Sequence, residues 1–236
     1  MPSTLDWGSG SEIIVHPQDL KNTYWWGYED PGAEGERGST APPYTMRRAL
    51  HLLDWTLRTF PGDPERVHVQ GRSMGGAGAG VIGSLAARHF SWVDSGVGQM
   101  IARNHRPERI QQLSGHWGSV ERALPEETGS DVSVWDRMDL SRSLHEDIEA
   151  RDQFFFLRHA KDDRIIHFGA VTHVSPVTGE SYYEALQSQR IGHFAVWDEG
   201  GHMTPDPLLG RHWWGHAWNP SQDDKSRLAR NLAFPA

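Results

Sequence analysis

Apolar positions change their spacing several times along the chain, and each change marks an expected element. Ile13-Ile14-Val15 is a β-branched run stopped by Pro17, the pattern of a short buried strand. From Thr45 to Phe60, the residues Met46, Ala49, Leu50, Leu53, Leu57 and Phe60 recur at helical spacing, with Thr45 as the expected N-cap and Pro61-Gly62 as the stop. Arg66 to Gln70 then alternates, with Val67 and Val69 on one side, as a strand does. Met74 to His89 is small and apolar and reads as a closely packed helix. Phe90 to Val97, the run Phe154-Phe155-Phe156-Leu157 and Phe194 to Trp197 read as strands. Ser181 to Gln189 and residues 222–233 read as helices. Residues 29–44 are rich in Gly, Pro and charge and read as a loop. Strand and helix in alternation predict one α/β domain over residues 1–236, built on a mostly parallel sheet with helices on both faces. Within it, the polar stretch 103–150 is expected to lie outside the sheet as a lid or insert, with Trp117 and Trp135 in it.

Composition narrows the chemistry. A net charge of -8, with no basic run, argues against a nucleic-acid partner. The absence of cysteine excludes disulfides, thiolate metal sites and a thiol nucleophile. No apolar run approaches the roughly 18 residues of a membrane span, so no membrane partner is expected. The opening MPSTLDWGSGSE has neither the basic nor the apolar region of a secretion signal. The chain as written is expected in the cytoplasm, and outside the cell if a signal segment precedes it.

The most specific pattern is Gly71-Arg72-Ser73-Met74-Gly75, a G-x-S-x-G between an expected strand and an expected helix. In that setting the serine sits on a strained turn, and glycine at 71 and 75 is expected to let strand and helix approach. Gly78 to Gly83 also fits G-x-G-x-x-G, but it begins inside the helix rather than at a strand end, so no dinucleotide cofactor is expected. A serine hydroxyl needs a base, and elbow serines are followed in the chain by an acid and then a histidine. Asp163 fits the acid, in the loop after the FFFL strand and ahead of Ile165-Ile166, with Asp162 as its neighbouring alternative. His202 fits the base, where Gly200-Gly201 lets a loop turn back over the sheet edge. His159, His193, His212 and His216 have less suitable contexts. His212 and His216 stand four apart, but no Glu follows the first, and Gly215 and Pro220 weaken a helix, so no metal site is expected. Trp25, Trp26 and Tyr28 follow the first strand at the edge where ligands bind in open α/β sheets; they are expected either to line a substrate pocket or to pack in the core.

The pieces GRSMGG, HAKDDRII and GGH, over roughly residues 12–232, resemble the α/β-hydrolases. Within them they are similar to the secreted-esterase and prolyl-oligopeptidase-like branch of feruloyl esterases and polyhydroxyalkanoate depolymerases. The resemblance implies that Ser73 attacks an acyl carbonyl, His202 shuttles the proton and Asp163 orients His202. The Met74 N–H is one expected oxyanion donor. Family members also carry strands ahead of the one at 13–15, and a His-Gly loop that gives a second donor. Neither is legible before Ser73, so the second donor is unassigned. Strand 13–15 is expected to pair directly with strand 66–70, or to leave an edge that a homo-oligomer would cover. The implied activity is cofactor-free hydrolysis of a small-molecule or polymer carboxylic ester. A peptidase or amidase with the same triad, and a catalytically silent subunit of the same fold, are the alternatives.

Overall fold

A computed structural model describes residues 4–7, 12–30, 32 and 38–202. Its centre is a four-stranded parallel sheet of β3 (His68–Arg72), β4 (Trp92–Gly96), β5 (Phe154–Ala160) and β6 (Gly192–Asp198), in that spatial order. In register, Val93 stands opposite Val69 and Phe155, and Gly96 lies between Arg72 and Arg158. Parallel strands need crossovers, and helices supply them. α2 (Met74–Leu85) links β3 to β4. α3 (Pro107–Trp117), α4 (Val134–Arg137) and α5 (Leu140–Glu146) lie between β4 and β5. α6 (Gly169–Thr172) and α7 (Tyr182–Ser188) lie between β5 and β6.

Alternation along the strands sends odd and even residues to opposite faces. The odd face carries Val69, Val93, Phe155 and Leu157, and there α2, α5 and α7 pack side by side. The even face carries stacked rings: Trp92 on Phe154 at 4.9 Å and Phe156 on Phe194 at 5.8 Å. Helices were expected on both faces; among the described residues, these three lie on one.

Several expectations shift. β1 (Thr4–Trp7) precedes β2 (Ile13–His16) and pairs with it antiparallel, so the strand at 13–15 finds its partner upstream and not at β3. TLDW carries no run of β-branched residues that would have announced it. Among the described residues, β3 is therefore an edge of the four-stranded sheet. α1 (Tyr44–Thr59) starts after Pro43, so Thr45 lies inside the helix. Its hydroxyl meets that of Thr23 at 2.9 Å instead of capping. Trp117 and Trp135 are wholly buried, 5.0 Å apart edge to face. Their indole N–H groups donate to the carbonyls of Gly27 and Gly118, so both belong to the core and not to a lid. The glycines at 78, 80 and 83 meet Trp25, Met100 and Val93, which makes them packing contacts of α2 and not a phosphate loop. Residues 222–233, His212 and His216 lie outside the described residues.

Candidate active site

In a parallel sheet every strand's C-terminal end opens on one rim, and three loops leave that rim here. β3 delivers Ser73, β5 delivers Asp163 and β6 delivers His202. Ser73 takes φ 58° and ψ -123°, a region that non-glycine residues rarely occupy and that costs about 1–3 kcal/mol. Backbone bonds on both sides hold it there. Its N–H donates to the Gly96 carbonyl at 2.9 Å, and its carbonyl accepts from Ala77 at 2.9 Å. A Cβ on Gly71 would overlap the Gly75 carbonyl, which explains the first glycine of the motif. The second is a correction. A Cβ on Gly75 would meet nothing, whereas one on Gly76 would overlap the Gly96 carbonyl. The close approach is therefore made one residue later than the motif suggests.

The Ser73 hydroxyl lies 2.7 Å from His202 Nε2, and His202 Nδ1 lies 2.8 Å from Asp163 Oδ2. A carboxylate only accepts, so Nδ1 carries the ring proton and Nε2 is left to accept from the serine. Asp163 is buried, and its other oxygen accepts the N–H groups of Ile165 at 2.7 Å and Ile166 at 2.9 Å. Three hydrogen bonds fixed this way leave the carboxylate little freedom to turn. Asp162, the alternative acid, is exposed. His159 is buried against Tyr183, and burial holds its pKa down at about 3. His193 turns to the Ile191 carbonyl at 2.7 Å.

Met74 opens α2, so its N–H has no carbonyl one turn earlier to accept it and points out of the positive end of the helix. Trp25 braces this turn from outside: its indole N–H donates to the Met74 carbonyl at 3.2 Å, and its ring fills the space beside Gly78. Trp26 is core, donating to the Ala41 carbonyl at 2.7 Å. Tyr28 packs against Tyr44 with the rings tilted and their centroids 5.1 Å apart, and lies under Lys21. Of the three aromatic residues expected near substrate, only Trp25 touches the elbow in this way.

Several neighbours escaped the sequence reading. Asn22, Tyr24 and Trp25 all have positive φ, and the Asp19 carboxylate ties their loop by accepting from Thr23 Oγ1 at 3.0 Å and the Trp25 N–H at 3.1 Å. Tyr24 Oη lies 2.8 Å from His105 Nε2. His105 Nδ1 accepts the Arg106 N–H, so Nε2 is the donor to the tyrosine. Burial, reinforced by Arg109 and Arg106, holds the His105 pKa down at about 3. Arg72, the variable residue of the motif, reaches Asp94 with both terminal nitrogens, at 2.8 and 3.3 Å. Arg158 and Asp198 form a second such pair. Partners 22 and 40 residues apart leave no local trace in a sequence. Among the described residues, no group of three or more His, Asp or Glu is placed to hold a metal, and no helix is long and apolar enough to cross a membrane.

No protein-family model matches the sequence, and comparison with curated proteins finds no match. Among solved structures, the chain is similar to an S-formylglutathione hydrolase from Agrobacterium tumefaciens. Identity is 20% and the TM-score 0.50, over 77% of this chain and 56% of that one. The chain thus spans little more than half the length of that structure. The likeness is one of fold: an α/β domain of α/β-hydrolase type, with a parallel sheet flanked by helices.

Proposed function

We propose that this protein is a serine hydrolase of carboxylic esters, with Ser73 as nucleophile, His202 as general base and acid, and Asp163 as the group that orients His202. The observation that carries this reading is the unbroken chain Ser73 Oγ–His202 Nε2–Asp163 Oδ2, with links of 2.7 and 2.8 Å, on a serine held at positive φ. Nε2 takes the hydroxyl proton as Oγ bonds to the acyl carbon, and the carbonyl electrons move to oxygen. The Met74 N–H faces that oxyanion as one donor. Collapse of the intermediate expels the alcohol, which leaves with the proton from His202. Water then gives a proton to His202, adds to the acyl-enzyme and releases the acid, and Ser73 recovers its proton. Asp163 stays ionised and steadies the imidazolium. No step calls for a cofactor.

The similar S-formylglutathione hydrolase carries a thioester in its name, and thioesters follow the same acyl chemistry. The finer resemblance of GRSMGG, HAKDDRII and GGH favours an oxygen ester, in a small molecule or a polymer. The test uses p-nitrophenyl acetate, the matching anilide and a fluorophosphonate probe. Wild-type protein is expected to cleave the ester, to act far more slowly on the anilide, and to be labelled at Ser73. Ser73→Ala is expected to lower ester turnover by about 10⁴-fold or more while the protein stays folded. Full turnover by Ser73→Ala, or folded wild-type protein that the probe never labels, overturns the assignment.

A further inference from the structure

The loops that carry Asp163 and His202 are locked to each other by a buried ion pair. Arg158 on β5 stands opposite Val196 of β6, so Asp198, two residues further on, lies diagonally on the same face. The two side chains meet there. Arg158 Nε lies 2.7 Å and Nη2 2.6 Å from Asp198 Oδ2, and both residues are buried. The other Asp198 oxygen accepts the Gly200 N–H at 2.9 Å, which fixes the first glycine of the turn leading to His202. The Asp198 carbonyl accepts the Lys161 N–H at 2.8 Å, in the turn leading to Asp163. A neighbouring pair, Lys161–Glu199 at 2.6 Å, spans the same two loops, but both of its side chains are about half exposed. Exposed pairs of this kind contribute little, whereas a buried arginine with two nitrogens on one oxygen is directional.

We infer that Arg158 and Asp198 are positioning residues that hold the His202 turn against the Asp163 turn, and so set the His202 ring at bonding distance from both the hydroxyl and the carboxylate. This rests on the proposed hydrolase reading. Neither residue touches the reacting atoms. Their effect passes through the Gly200 N–H and the strand ends, and displacement of a catalytic group by about 1 Å is enough to cost about 100-fold in rate.

Removing one partner alone strands a buried charge, so the informative variant is the double one, Arg158→Met with Asp198→Asn. It removes both charges, keeps the volumes close and retains an amide oxygen for Gly200. The measurements are kcat and KM on p-nitrophenyl acetate, the rate of fluorophosphonate labelling at Ser73, and the thermal midpoint. The expected result is a folded protein whose kcat and labelling rate fall about 10- to 100-fold while KM stays within about threefold of wild type. The single variant Arg158→Lys keeps the charge without the two-nitrogen grip and is expected to recover part of the loss. If the double variant does not fold, Arg158→Lys alone decides, with a lowered kcat at unchanged KM expected. A folded double variant, or an Arg158→Lys protein in its place, that labels and turns over at the wild-type rate overturns the positioning role and leaves the hydrolase reading intact. Wild-type protein that is never labelled removes that reading, and this role with it.

Discussion

At the scale of single residues, Ser73 works against its own backbone. Its φ of 58° suits glycine, yet the proposed chemistry needs a hydroxyl there. Ser73→Ala keeps the strain and loses the hydroxyl, whereas Ser73→Gly loses both. Glycine pays about 0.5–1 kcal/mol in chain entropy against about 1–3 kcal/mol of relieved strain. Ser73→Gly is therefore expected to melt about 2–4 °C above Ser73→Ala, since 1 kcal/mol shifts a domain of this size by about that much. A Ser73→Gly midpoint below that of Ser73→Ala in calorimetry would mean that the backbone stores no such strain. His159 also acts alone. Burial holds its pKa near 3 in the folded protein, against about 6.5 in the unfolded chain. Between those values the unfolded chain binds the extra proton, so stability is complete above about pH 6.5 and falls with acidification at about 1.4 kcal/mol per pH unit. Thermal midpoints from pH 7.5 to 4.5 are expected to show a shallower decline in His159→Gln than in wild type. An unchanged slope would refute the assignment.

At the scale of elements, the strand–elbow–helix unit from His68 to Leu85 was legible, because its signals are local. Val67 and Val69 alternate, glycine surrounds one serine, and small residues continue into α2. What the pattern could not reveal is which glycine makes the contact, because that depends on β4, some twenty residues further along. Gly75→Ala is expected to be neutral or to gain up to about 1 kcal/mol from helix propensity. Gly76→Ala forces a methyl against the Gly96 carbonyl that holds the Ser73 N–H, and is expected to cost about 1–3 kcal/mol and most of the probe labelling. Chemical denaturation of the two variants checks this, and a destabilised Gly75→Ala beside a wild-type-like Gly76→Ala would reverse it. Thr45 shows the opposite limit. A threonine before a periodic run reads as a cap, but Thr23 draws its hydroxyl inward from 22 positions away.

For the whole molecule, the four parallel strands and the placing of residues 73, 163 and 202 just beyond the ends of three of them were readable, because each of those strand ends is marked by local composition. The burial of Trp117 and Trp135, the pairing of β1 with β2, and the Arg–Asp pairs were not, since each depends on a partner distant in the chain. The proposed hydroxyl and its base are 129 residues apart. During synthesis at about 5–20 residues per second, Ser73 leaves the ribosome about 6–26 s before His202 does. For that interval the nascent polypeptide has an elbow and no imidazole to activate it. On the proposed reading, acyl transfer is silent until translation has passed the turn after β6, and recovered activity would time the arrival of His202 rather than that of Ser73.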